Sequence, residues 1–93
     1  MSRTFGSVTY SSVGSSASSV ALVAANPNRK KLIIQNTSTA ILYVDLTGGT
    51  ATATTAHSKQ MASNTSWELD NFTGAVSGIW ASANGSANIT EIT

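Results

Sequence analysis

The chain contains no cysteine. Disulfide staples, zinc–thiolate centres and cysteine nucleophiles are therefore excluded, and folding does not depend on the redox compartment. Charge is scarce as well. Only 10% of residues are Asp, Glu, Lys or Arg, and the net charge is +1. So weak a field does not point to nucleic acid or a membrane as the main partner. There is one histidine, His57, and one proline, Pro27. The longest apolar run, Val20 to Ala25, is far too short to cross a bilayer. Met1-Ser2-Arg3 is not followed by the apolar core of a signal peptide, so the product is expected to be made and kept in the cytosol unless a particle carries it out.

What the chain does contain is Ser, Thr and Asn alongside a hydrophobic fraction of 41%. That fraction argues against global disorder. Thr suits strands, and Ser and Asn suit turns. With 93 residues one domain is expected. A domain of this size buries roughly 60–68% of the surface that its unfolded chain exposes, so association with copies of itself or a larger body would add to a modest margin.

Apolar residues alternate in short runs separated by turn residues. Strands are read at Ser19–Ala25, Lys30–Gln35, Ala40–Leu46, Ser58–Ala62, Thr65–Asp70, Ala75–Ala81 and Ala87–Ile92. No stretch carries a sustained helical period. The sum is an all-β, small antiparallel β-sandwich or barrel of about seven or eight short strands. Residues 1–19 read as an N-terminal arm, with residues 20–93 as the β-sandwich domain. Ser11 to Ser19 is rich in Ser and Gly, as in a flexible segment. A first strand at Thr4–Tyr10 followed by a long loop is the other reading of this segment.

The densest strand signal is Asn26 to Leu46, read as a β-hairpin whose turn is Asn36–Thr39. Leu32 and Ile34 share one face, while Ile33 lies opposite with Lys31 and Gln35. In the second strand Leu42, Val44 and Leu46 share a face, and Ile41, Tyr43 and Asp45 take the other. Each strand is apolar on one face and partly apolar on the second. That predicts a cover over the outer face, supplied by an arm or a neighbouring subunit. Asn84-Gly85 predicts a type I′ hairpin turn between the last two strands.

Chemistry is thin. His57 lies beside Ser58, and Asp45 would complete a Ser-His-acid set on paper, but nothing in the spacing singles it out. Glu68 and Asp70 share a strand face and read as its solvated side rather than as a catalytic pair. One histidine and four acids, none clustered, predict no metal site, and no cofactor is expected. Gly48-Gly49 lacks the lysine and spacing of a phosphate loop. Arg29-Lys30-Lys31 is a short basic cluster, either solvated or touching a partner. Trp67 and Trp80 read as core residues, with a sugar platform or interface anchor as the alternative.

The run Val20-Ala-Leu-Val-Ala-Ala-Asn-Pro-Asn-Arg-Lys-Lys-Leu-Ile-Ile-Gln-Asn-Thr-Ser38, followed by Ile41-Leu-Tyr-Val44, resembles small structural proteins of tailed bacteriophages. Trp67-Glu-Leu-Asp-Asn-Phe-Thr-Gly-Ala75 and Ile79-Trp-Ala-Ser-Ala-Asn-Gly-Ser-Ala-Asn-Ile89 resemble their second half. Capsid decoration (cement) proteins are among them. The resemblance implies a jelly-roll-like sandwich on the outer surface of the virion capsid, as a homotrimer at local three-fold positions. There it would clamp neighbouring subunits of the major capsid protein. Arg3, Phe5 and Tyr10 on the arm, with Arg29, Lys30 and Lys31 at the basic turn, are the expected contacts. Related modules also resemble fibre and tail proteins, so a host- or carbohydrate-binding module is the alternative.

Overall fold

A computed structural model describes residues 7–52 and 56–93. The described residues form strands and connections with no helix. The strands are β1 (Val8–Gly14), β2 (Val20–Val23), β3 (Lys31–Asn36), β4 (Leu42–Asp45), β5 (Lys59–Met61), β6 (Ser66–Asp70), β7 (Val76–Trp80) and β8 (Ser86–Ile92). They make two four-stranded sheets in the orders β1-β8-β3-β6 and β2-β7-β4-β5. All pairs are antiparallel.

The pairing has a simple logic. β1 pairs β8, β2 pairs β7, β3 pairs β6 and β4 pairs β5. This is a long antiparallel ribbon, folded back on itself between β4 and β5 and then rolled up. The β3–β8 and β4–β7 pairs lock the roll. The result is an eight-stranded jelly roll in which every connection except β4–β5 crosses from one sheet to the other.

That crossing corrects the expected central hairpin. Its two strands lie close to the expected positions, but β3 is in the first sheet and β4 in the second. A hairpin would set Leu32 and Ile34 beside Leu42 and Val44 on one sheet. Instead all four point into the sandwich from opposite walls, each 0% exposed. This arrangement removes more apolar area from water, at roughly 1.5–3 kcal/mol per buried side chain. The polar centre of the arch is Asn36, which is also fully buried. Its amide nitrogen donates to the carbonyls of Ala40 at 2.8 Å and Met61 at 3.1 Å. Its carbonyl accepts from Ser38 Oγ at 2.8 Å and from Trp80 Nε1 at 3.2 Å.

Asn84-Gly85 is corrected in the same way. It links β7 to β8 across the sheets, and neither residue has a positive φ. A type I′ turn needs positive φ at both. Gly85 meets a different need: a Cβ there would lie 2.6 Å from Ser38 Cα. The left-handed backbone falls instead at Asn64 and Asn71, which flank β6, and at Gly48.

The segment expected as an arm divides. Residues 1–6 lie outside the described residues. Val8–Gly14 is the edge strand β1, paired along its whole length with β8. Its side chains are exposed except that of Val13, which packs against the core. Backbone hydrogen bonds, not burial, hold this strand in place.

Leu22, Leu32, Ile34, Leu42, Val44, Met61, Val76, Trp80 and Ile89 fill the sandwich. Gly78 makes room for them, since a Cβ there would meet Leu22 Cδ1 at 2.9 Å and Leu42 Cδ1 at 3.0 Å. The two ends are tied differently. Asn36 holds one, and Arg29 holds the other.

Candidate functional site: the outer face of the first sheet

The residues with chemical potential are committed elsewhere. The ring of His57 packs edge-on against Tyr43 with centroids 5.0 Å apart. Its Nδ1 lies 3.0 Å from the Thr52 carbonyl oxygen, a contact that the Nδ1–H tautomer satisfies. Asp45 is buried and accepts from the backbone N–H and the hydroxyl of Thr47. Ser58 Oγ accepts from the Leu46 N–H. His57, Ser58 and Asp45 thus have three separate sets of partners and do not form the relay that a Ser-His-acid mechanism requires. No cluster of metal-ligating side chains occurs among the described residues. Trp80 is buried, and Trp67 is half-buried beneath the Lys59 ammonium, 5.5 Å from the ring centroid. Neither is an exposed platform.

Arg29 also leaves the list of surface contacts. It is 3% exposed, and its guanidinium is fully employed. Nε donates to Glu91 at 2.9 Å, and the terminal nitrogens donate to the carbonyls of Phe72, Gly74 and Ala24. One side chain thereby ties the β2–β3 connection to the β6–β7 connection and to β8. Lys30, next along, is exposed, and its backbone joins Ile92 and Asn71. Lys31 opens β3 on the outer face of the first sheet. Its ammonium lies 2.8 Å from Glu68 and 3.8 Å from Asp70. The hydrogen bond and charge of Glu68 push the Lys31 pKa up from 10.5, with Asp70 adding to the effect. Arg3 and Phe5 lie outside the described residues.

The two outer faces of the sandwich differ. That of the second sheet is covered in part by the chain itself, while Ala21 and Gln60 stay exposed. Ser77 Oγ donates to the Gly49 carbonyl at 2.6 Å, Ala51 is 1% exposed, and His57 lies over Tyr43. The second apolar face that the sequence left open on β4 therefore finds its cover in the β4–β5 connection.

The outer face of the first sheet has no such cover among the described residues. Register sets its rows. Val8, Ile92, Lys31 and Asp70 form one, and Tyr10, Thr90, Ile33 and Glu68 form the next. Ser12, Asn88, Gln35 and Ser66 form the third. Tyr10 is 78% exposed and Val8 48%, the exposed large hydrophobics among the described residues. A shallow depression of about 570 Å³ lies here, lined by Tyr10, Ser12, Gln35, Asn88 and Thr90 among others. Tyr10 and Lys31, expected contacts from distant parts of the sequence, are thus brought onto one surface. Gln35, Asn88 and Thr90 complete it. They were legible only as outward positions of alternating strands, without any sign that the strands are neighbours.

Comparison of the chain with protein-family models, with curated proteins and with solved structures finds no match.

Proposed function

We propose that this chain is a capsid decoration (cement) protein of a tailed phage, bound to the outer surface of the assembled head. Its outer first-sheet face would lie against the major capsid protein. The resemblance of residues 20–92 motivates the reading, and one observation carries it: the second sheet's outer face is partly covered from within, while the first sheet's has no such cover among the described residues. That open face combines Tyr10, Val8, Ile33 and Ile92 with Lys31 at its margin. Aromatic and aliphatic side chains set among polar and charged ones are the composition of a protein-binding surface. Lys30, exposed, stands beside it, and Arg29 serves it indirectly by fixing the turn that carries Lys30 and Lys31.

The mechanism requires no chemistry. A protein that binds the expanded shell better than its precursor stabilises the expanded form by mass action. Repeated over a shell, modest contacts add up against internal pressure. The test is to mix the purified protein with undecorated expanded heads and sediment them. Co-sedimentation supports the reading, and a protein that stays in the supernatant removes it.

The depression around Tyr10 favours a second reading, a carbohydrate-binding module of a fibre or tail. An exposed aromatic ring beside amide and hydroxyl side chains suits a neutral sugar. Quenching of tyrosine emission by host polysaccharide, absent in Tyr10→Ala, would support it.

A further inference from the structure

The sandwich has four sheet edges, and three of them are guarded. β6 carries the exposed charges Glu68 and Asp70. β5 is three residues long and begins with Lys59. β2 is four residues long and its register breaks between Ala21 and Val23. Charge, shortness and irregularity are the devices that keep edge strands from pairing with other chains. β1 has none of them. It runs seven residues, Val-Thr-Tyr-Ser-Ser-Val-Gly, without charge, proline or bulge.

Its free hydrogen-bonding groups can be assigned. The Thr93 N–H donates to the Ser7 carbonyl, and the Ser15 N–H to the Gly85 carbonyl. The register between these points is unbroken. In an antiparallel ladder hydrogen-bonded pairs alternate with non-bonded ones, so the odd-numbered residues of β1 are bonded to β8. Val8, Tyr10, Ser12 and Gly14 therefore aim their N–H and C=O groups outward from the edge.

We infer that β1 is a self-pairing edge, and that two copies of this chain join through it in antiparallel register about a two-fold axis at Ser11. In this register Val8 lies opposite the partner's Gly14, and Tyr10 opposite the partner's Ser12. The pairing forms about eight inter-chain bonds, two for each pair, and merges the two first sheets into one. It is isologous, so it closes at two copies. Three features favour a second copy as the occupant. The strand is uncharged, so bringing two together sets no like charges face to face. The exposed large hydrophobics among the described residues, Val8 and Tyr10, both lie on it. The register sets Val8 opposite the partner's Gly14, where no side chain crowds it, and brings the two tyrosines into diagonal neighbourhood. This two-fold pairing is an alternative to the three-fold arrangement that the phage resemblance implies, and it does not depend on the decoration role.

The experiment is sedimentation equilibrium of the full chain over a concentration series, with amide exchange followed residue by residue. A doubling of the 9.5 kDa mass is expected. The Val8, Tyr10, Ser12 and Gly14 amides should gain protection as the dimer forms. Ser12→Pro removes one outward donor and leaves the β8 ladder intact, so it should abolish the dimer. Tyr10→Lys places like charges near the axis and should do the same without touching the backbone. A monomer at all concentrations, a trimer, or a dimer indifferent to both substitutions would overturn the inference. So would a dimer in which those four amides stay unprotected.

Discussion

Asn36 Oδ1 accepts the indole N–H of Trp80 at 3.2 Å, tying the last residue of β3 to the last residue of β7 across the two sheets. Both residues are buried, and the same amide group supports the arch into β4. Replacing Asn36 with Ala would leave the indole N–H and the Ser38 N–H without their acceptor and take one donor each from the Met61 and Ala40 carbonyls, of which Ala40 keeps Ser38 Oγ. Each buried group left unpaired costs about 1–3 kcal/mol. Asn36→Ala should therefore lower stability by about 3 kcal/mol or more. A lower urea midpoint with an unchanged m-value is the expected observation.

Arg29 and Lys30, adjacent in sequence, should separate cleanly. Arg29→Ala leaves the part-buried Glu91 carboxylate and three connecting carbonyls without their donor, and each such buried group left unpaired costs about 1–3 kcal/mol. Lys30→Ala, at an exposed position, should change stability by no more than about 0.5 kcal/mol. Thermal unfolding of the two variants side by side checks the contrast. Equal losses would mean that the Arg29 network does not hold the end of the sandwich.

Two glycines should differ in cost. At Gly78 an added methyl meets the far ends of Leu22 and Leu42, which can shift. At Gly85 it meets the Cα of Ser38, which cannot move without the arch. Overpacking costs about 1–3 kcal/mol, and Gly85→Ala should fall at the upper end and Gly78→Ala at the lower. Chemical denaturation of both variants gives the order directly.

Lys31 predicts a pH dependence. Glu68 raises its pKa in the folded protein, so its stabilising contribution is fully present below about 10.5 and is lost as pH rises through the folded value. Stability measured by urea titration should fall slightly more steeply above that pH in the wild type than in Lys31→Met. Salt should reduce the effect, since the pair is partly exposed.

Strand positions were legible because inward and outward residues alternate, as Leu32, Ile34 and Ile33 show. Partners were not. Sequence proximity favours hairpins, yet in a rolled ribbon the neighbour of β3 is β8, far along the chain. Asn36 looked like a turn residue, and its buried amide, the lock of the arch, has no signature in a single sequence. Arg29 looked like its more exposed neighbours Lys30 and Lys31, because only the fold brings Glu91, Phe72 and Gly74 to it. The second apolar face of β4 needs a cover, and that cover comes from Gly49, Ala51 and His57 of the chain's own β4–β5 connection rather than from an arm or a neighbouring subunit. The open face of the first sheet could not be foreseen, since it depends on β1, β8, β3 and β6 lying side by side.

The decoration role is tested most directly by sedimenting undecorated expanded phage heads with the wild-type protein and with Thr90→Arg. Thr90 lies between Tyr10 and Ile33 at the middle of the open face, where an arginine would obstruct a flat partner without entering the core. The wild type should pellet with the heads, and the folded Thr90→Arg protein should remain in solution. A wild type that stays in the supernatant, or a variant that binds equally well, would contradict the account.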